Sequence, residues 1–126
     1  MNLAVVGSRT FSDYEELKII LDEIKNFFHF DTIVHGGAKG ADSLAKRYAK
    51  ERHLTEIVHY PEWEKYGKAA GFIRNEFIWK DAHLGVAFWD GQSKGTAHSF
   101  KIAKSQKKKL LVFNFIEKDF YSLINK

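Results

Sequence analysis

Short apolar runs alternate with amphipathic helical patterns along this 126-residue chain, and no other feature restricts the fold as strongly. The apolar runs lie at residues 3–6, 31–35, 56–60, 84–89 and 110–115. Between them, apolar residues recur at helical spacing over residues 12–28, from 41 onward, over 69–81 and over 96–106. Because strand–helix–strand crossovers are right-handed and cover both faces of a sheet, the pattern predicts an α/β, Rossmann-like three-layer sandwich with a mainly parallel five-stranded sheet.

Two local patterns refine this prediction. Ser12 and Glu15 have the spacing of a capping box, which predicts that the first helix begins near Ser12. The tail, residues 116–126, reads as a short amphipathic helix. Neither a repeat nor a linker divides the chain, so we expect a single Rossmann-like domain over residues 1–126.

Composition excludes several kinds of site. The chain has no cysteine, which rules out disulfides, thiolate metal sites and a cysteine nucleophile. Its six histidines show no metal-binding spacing, so we expect neither a metal nor a cofactor. No apolar run approaches the roughly 20 residues that a membrane helix needs, and the N-terminus does not read as a signal peptide. These features predict a cytoplasmic protein with no membrane partner.

The loop between the second apolar run and the second helical pattern is rich in glycine. Glycine backbones approach anions closely, and the helix that follows offers unpaired N–H groups. Lys39 adds a positive charge, and Asp42 could accept hydrogen bonds from sugar hydroxyls. The alternative is a tight turn followed by an ordinary acidic residue in a first helical turn. The residues predicted to bind a ligand here are Gly36, Gly37, Ala38, Lys39, Gly40 and Asp42.

Two further polar loops follow the first and fourth predicted strands. In the common 3-2-1-4-5 strand order these strands are neighbours, so their loops would meet the glycine loop at the carboxyl edge of the sheet. That convergence predicts a site for a small anion or a nucleotide. Arg9 could clamp a phosphate or simply pair with a surface carboxylate, and Trp63 and Trp89 could stack on a base or only pack. Asn75 lies beside apolar residues and needs a partner.

Three common motifs are absent. A Walker A loop requires a Lys after its second glycine and then Ser or Thr, whereas Lys39 precedes Gly40. A dinucleotide fingerprint would follow the first strand, not the second. No G-x-S-x-G elbow is present. Ordinary nucleoside triphosphate hydrolysis, dehydrogenation and α/β-type serine hydrolysis are therefore disfavoured.

The net charge of +4 and the pI near 9.2 favour anionic ligands without requiring nucleic acid. Part of the excess is local, in the lysines at 101, 104, 107, 108 and 109. These lysines suit a solvated helix face, or alternatively a single-stranded nucleic-acid binder.

Five motifs, taken in order, resemble those of the YspA-like, cpYpsA-related branch of the SLOG superfamily: Gly7-Ser8-Arg9, Gly36-Gly37-Ala38-Lys39-Gly40-Ala41-Asp42, Pro61-x-Trp63-x-x-Tyr66-Gly67, Ala70-Gly71-x-x-Arg74-Asn75 and Phe88-Trp89-Asp90-Gly91-x-Ser93-x-Gly95-Thr96. The resemblance implies a Rossmann-like fold and a nucleotide-derived ligand. It extends to the Lonely Guy phosphoribohydrolases and to DNA-processing protein A, which has a similar G-G-A-x-G-x-D loop and binds single-stranded DNA. Lonely Guy enzymes carry P-G-G-x-G-T-x-x-E, and here Ser99 takes the place of the glutamate.

The resulting expectation is a protein that senses or sequesters a nucleotide or an ADP-ribose-like derivative. The alternatives are a nucleotide N-glycosidase, with Asp90 as a weak catalytic candidate, and a single-stranded nucleic-acid-binding module. Resemblance to the family also implies a homodimer. The remaining residues predicted to bind the ligand are Gly7, Ser8, Arg9, Trp63, Arg74, Asn75, Asp90, Gly91, Ser93, Gly95 and Thr96.

Overall fold

The computed structural model describes residues 1–124, whose strands form one sheet in the order β3-β2-β1-β4-β5-β6. Five neighbouring strands are parallel, and the last pairs antiparallel with β5. The predicted 3-2-1-4-5 order and α/β class are confirmed, but the sheet of the described residues has six strands, not five. The strands are β1 Asn2–Gly7, β2 Thr32–His35, β3 Thr55–Val58, β4 Leu84–Trp89, β5 Lys109–Asn114 and β6 Asp119–Ile124.

Helices cover both faces of the sheet. The helices are α1 Tyr14–Phe28, α2 Ala41–Glu51, α3 Trp63–Tyr66, α4 Ala70–Asp81 and α5 Lys94–Ser105, with a 3-10 turn at Gly67–Ala69. Leu3 and Val5 of β1 belong to the apolar cluster under α1 and α2, whereas Ala4 and Val6 belong to the cluster under α4. A strand buried on both faces requires the continuous apolar run seen in β1.

The chain after β5 is a strand, so the prediction of a terminal helix is wrong. Asn114 Oδ1 accepts the backbone N–H groups of Ile116 at 3.0 Å and Glu117 at 3.1 Å, which reverses the chain. Phe120 then stands opposite Phe113 in the β5–β6 register. Pairing with β6 satisfies the backbone N–H and C=O groups at the edge of β5, which a terminal helix would leave without partners. Residues 125–126 of the predicted helix lie outside the described residues.

Helix α1 begins at Tyr14, and its N-cap is Asp13 rather than Ser12. Asp13 Oδ1 accepts the backbone N–H of Glu16 at 3.1 Å. Phe11 is buried and stacks on Phe88 with ring centroids 4.9 Å apart. Because this anchor sets where the helix can begin, the Ser12–Glu15 capping box does not form.

Strands β1 and β4 lie side by side, so the order of the sheet reverses between them. Gly7 at the end of β1 pairs with Phe88 near the end of β4. The loops that leave these two strands therefore meet at the carboxyl edge, where open α/β sheets bind ligands.

Two surface features concern predicted partners. Within residues 1–124, no helix combines the length and apolar character needed to cross a bilayer. On α4, Phe72 and Phe77 are exposed. They are the apolar helix surface that a homodimer could bury, and the homodimer stays a prediction.

Asp13→Ala should lower the free energy of unfolding by about 1 kcal/mol, because the amino end of α1 loses its side-chain acceptor. Ser12→Ala is the matched control and should leave stability nearly unchanged, since Ser12 is exposed. Urea unfolding followed by circular dichroism measures both. A larger loss of unfolding free energy for Ser12→Ala than for Asp13→Ala would indicate that the capping box forms and would contradict this assignment.

Candidate functional site

A cavity of about 400 Å³ opens at the carboxyl ends of β1 and β4. It lies between the loops that leave these strands, the beginnings of α2 and α5, and one side of α4. The predicted ligand-binding residues that line it are Gly7, Ser8, Arg9, Ala38, Asp42, Arg74, Asn75, Asp90, Ser93, Gly95 and Thr96. The convergence of separate loops on one crevice is thus present in the structure.

Other predicted residues lie outside the cavity lining. Trp63 is exposed on α3, and Lys39 is exposed at the tip of its loop. The residues that do not line the cavity are Gly36, Gly37, Lys39, Gly40, Trp63 and Gly91. Sequence reasoning in turn omitted four residues that do line it, namely Val6, Thr10, Ile78 and Ser99.

The glycine loop is held by a buried carboxylate. Asp42 is 6% exposed, and its Oδ2 accepts the N–H groups of Gly36 at 2.9 Å and Ala38 at 3.2 Å. Gly37 donates its N–H to His35 Nδ1 at 3.0 Å. All three amides are engaged inside the protein, so a phosphate at these amides would have to displace Asp42 and His35.

His35 supports the loop from the end of β2. Because Nδ1 accepts the N–H of Gly37, the ring proton of neutral His35 lies on Nε2 and is donated to Glu56 of β3. Sequence reasoning missed this pair. The available signal was a histidine at the end of an otherwise apolar strand, next to a strand that carries a glutamate.

Gly40 joins the glycine loop to the loop after β1. Its φ of +79° favours glycine, and a Cβ there would collide with the carbonyl oxygen of Ser8 and the backbone of Arg9. The N–H of Ala41 points to the same Ser8 oxygen, with an N–O distance of 3.4 Å. Gly40 therefore has a packing role that a simple turn would not require.

Two arginines contribute positive charge to the cavity. Arg74 of α4 donates from Nη1 to the carbonyl oxygen of Gly36 at 2.6 Å and from Nε to Asn75 Oδ1 at 2.9 Å. Burial lowers the pKa of Arg74, although an arginine stays charged at neutral pH. Arg9 is exposed, and its side chain has no hydrogen-bond or ion-pair partner within residues 1–124.

Asp90 links the loops after β1 and β4. Its backbone N–H donates to Ser8 Oγ at 3.1 Å, and its Oδ1 accepts from Gln92 N at 2.9 Å and Ser93 N at 2.8 Å. These backbone donors, Gln92 first, lower the pKa of Asp90. The carboxylate is thus charged and directed largely at its own loop.

The amino end of α5 faces the cavity with little side-chain cover. Ser93 is the N-cap, but its side chain caps no backbone N–H. A Cβ at Gly95 would meet nothing within 4 Å. Thr96 Oγ1 donates to Ser93 Oγ at 3.3 Å. The first turn of α5 can therefore bring its free N–H groups close to an anion.

Trp89 packs rather than lining the cavity. Its Nε1 donates to the carbonyl oxygen of Ser93 at 3.2 Å, and its ring meets Phe100 edge-on at 4.9 Å. This geometry matches the packing alternative considered for the aromatic residues. Within the described part of the chain, no three His, Asp or Glu side chains come together as metal ligands would.

Comparisons with known proteins agree with this architecture. Residues 1–66 match the model of the YspA, cpYpsA-related SLOG family. The chain is 35% identical over 121 residues to the Gene 61 protein of Mycobacterium phage D29, covering 90% of this chain and 95% of that protein. It also resembles the X-ray structure of TM1055, with a TM-score of 0.63 and 21% identity, over 86% of this chain and 71% of that one. This last likeness supports the fold alone.

Asp42→Ala should lower the free energy of unfolding by about 2–4 kcal/mol, because the Gly36 and Ala38 amides lose their acceptor. Asp42→Asn should cost much less, since an amide oxygen can accept both bonds.

Burial raises the pKa of Asp42, so its contribution to stability falls as pH rises from the unfolded value of about 3.9 through the folded value. Asp42→Asn should lack that fall. Urea unfolding at several pH values tests this, and equal losses for the two variants would contradict the role of Asp42.

Proposed function

This chain belongs to the YspA, cpYpsA-related SLOG family, and on that premise we propose that its cavity binds a phosphorylated nucleotide or nucleotide derivative such as ADP-ribose. The protein would sense or sequester this ligand. Membership of the SLOG family favours a nucleotide-related function, and the geometry of the cavity suggests how such a ligand would lie.

The observation that carries the proposal is the unpaired guanidinium of Arg9, which lines the same cavity as the first turn of α5. Arg9 has no partner within residues 1–124, and the amino end of α5 carries no acidic residue in its first turn. Gly95 leaves the backbone of that turn accessible. A guanidinium and a helix amino end that face the same space suit a phosphate, because both favour negative charge and both donate hydrogen bonds.

The carboxylates restrict where a phosphate can lie. Asp42 and Asp90 both line the cavity, and a phosphate beside either would be repelled. Carboxylate oxygens do accept hydrogen bonds from sugar hydroxyls and from amino groups of a base. The proposed ligand therefore has its phosphate near Arg9 and Gly95, with its sugar and base toward Asp42, Asn75 and Asp90.

The alternatives depend on other groups. Cleavage of an N-glycosidic bond would need a carboxylate at the sugar. Asp90 could serve, but both bonds accepted by its Oδ1 come from its own loop. Binding of single-stranded nucleic acid would use the late lysines, yet Lys108 donates to the carbonyl oxygen of Ala82. Binding without cleavage is therefore the form of the proposal that these contacts support best.

A panel of AMP, ADP, ADP-ribose and cyclic nucleotides should contain at least one compound that stabilises the protein. A ligand at 100 times its dissociation constant raises the free energy of unfolding by about 2.7 kcal/mol. Arg9→Ala should weaken that ligand about 10-fold or more, because a charge-assisted hydrogen bond to phosphate is lost. Thermal-shift measurements followed by calorimetric titration give both results.

Arg47→Ala is the matched control, because Arg47 lies exposed on α2 outside the cavity, where it pairs with Glu51 and lies over the Tyr14 ring. It should leave the affinity unchanged. The proposal fails if none of these nucleotides shifts the melting temperature. Release of free base or ribose phosphate, detected by chromatography, would instead favour the glycosidase.

Gly95→Ala should stabilise the free protein by up to about 1 kcal/mol and weaken nucleotide binding. Alanine favours the helix, and its methyl group meets only open space in the free protein, but it would occupy the position proposed for the phosphate. Gly71→Ala on α4 is the control, because Gly71 does not line the cavity. It should stabilise the protein without changing affinity. Unchanged affinity for Gly95→Ala would place the phosphate elsewhere.

A further inference from the structure

Ser99 is an almost fully buried residue of α5. It is 1% exposed, yet it lines the cavity, and its hydroxyl has no hydrogen bond within residues 1–124. A serine inside a helix commonly donates to the carbonyl one turn earlier, but Ser99 does not. The hydroxyl is therefore a free donor and acceptor at the wall of the cavity, where a ligand can hydrogen-bond it.

The cavity has an exposed opening and a buried inner end. Arg9 and Gly95 are exposed at the opening. The inner end, defined by Asn75, Ile78 and Ser99, has exposures of 8%, 2% and 1%. These three side chains are uncharged. The opening therefore suits a charged group, whereas the inner end suits a neutral group that both packs and hydrogen-bonds.

Helix geometry relates the two ends. Ser99 follows Gly95 by four residues of α5, which places it about 6 Å farther along the helix axis. That separation is comparable to the distance from the 5′-phosphate of a nucleotide to the hydroxyls of its ribose. A phosphate at the amino end of α5 would thus bring a ribose hydroxyl to the depth of Ser99.

We propose that Ser99 is a specificity residue that hydrogen-bonds one ribose hydroxyl, so that the cavity discriminates against nucleotides whose sugar lacks that hydroxyl. The inference rests on the proposed nucleotide binding and identifies which part of the ligand reaches the inner end. Asn75 supports the same end, because its Oδ1 already accepts from Arg74 while its Nδ2 lies 3.5 Å from His98 Nδ1. The second amide proton of Asn75 remains available to a sugar oxygen.

Calorimetric titration with AMP, 2′-deoxy-AMP and 3′-deoxy-AMP tests the contact. The parent protein should bind AMP about 5- to 10-fold more tightly than one of the deoxy analogues. Ser99→Ala should bind AMP more weakly by the same factor and should bind that analogue with unchanged affinity, as a double-mutant cycle requires. Ser105→Ala, on the exposed end of the same helix, should change none of these affinities.

The melting temperature of the free protein is a second test, because a purely structural role of Ser99 predicts the opposite change in it. Ser99→Ala removes an unpaired hydroxyl and adds a better helix former, so the melting temperature of the free protein should stay equal or rise. A lower melting temperature would identify Ser99 as structural and overturn the inference.

The other outcomes separate this inference from the proposed function. Unchanged AMP affinity in Ser99→Ala, together with weaker binding in Arg9→Ala, overturns the role of Ser99 and leaves nucleotide binding intact. An equal loss for AMP and both deoxy analogues assigns Ser99 to another part of the ligand and also overturns the inference. Absence of binding by AMP, ADP and ADP-ribose to the parent chain overturns the proposed function and this inference with it.

Discussion

The parallel pairing of β1 with β4 is the constraint on which the rest of this structure depends. Five consecutive residues of β1, from Leu3 to Gly7, are in register with Leu84 to Phe88. Because β2 and β3 extend to one side of this pair and β5 and β6 to the other, the chain must leave adjacent strand ends in opposite directions. The space between those departing loops is the cavity. Ser8 and Asp90 connect the two loops by a hydrogen bond, so the same pairing that forms the sheet also shapes the site.

The glycine loop contributes to this site differently from a simple phosphate cradle. Its first three amides donate to Asp42 and His35, and Gly40 lets it pack on the loop after β1. The loop thereby supports the cavity from behind and reaches its lining through Ala38, with Arg74 bound to the carbonyl oxygen of Gly36. The free donors and positive charge lie on the opposite side, at Arg9 and the first turn of α5. Internally bonded backbone beside available donors is an arrangement typical of small-ligand sites.

The sequence could predict the fold and the meeting of the loops in a cavity at the carboxyl edge, because both follow from periodicity and from strand order. The resemblance to the YspA-like branch of the SLOG superfamily is confirmed by the family match. Features that depend on long-range packing could not be predicted from the sequence pattern. β6 forms because the edge of β5 needs a partner, and Asp13 caps α1 because Phe11 is anchored against Phe88. The direction of the glycine-loop amides depends on the buried side chains of Asp42 and His35. The sequence places Ser99 where Lonely Guy enzymes have a glutamate, but its burial in the cavity lining is known only from the structure.

The central claim is that a nucleotide binds between the departing loops of β1 and β4. Its most direct test is a pair of ¹H–¹⁵N correlation spectra of the protein, one free and one with saturating ADP-ribose. The largest amide shifts should fall at Ser8, Arg9, Gly95 and Thr96, with small shifts over the glycine loop because its amides stay bound to Asp42 and His35. Shifts concentrated on the lysines from 101 to 109, or none at the first turn of α5, would contradict the claim.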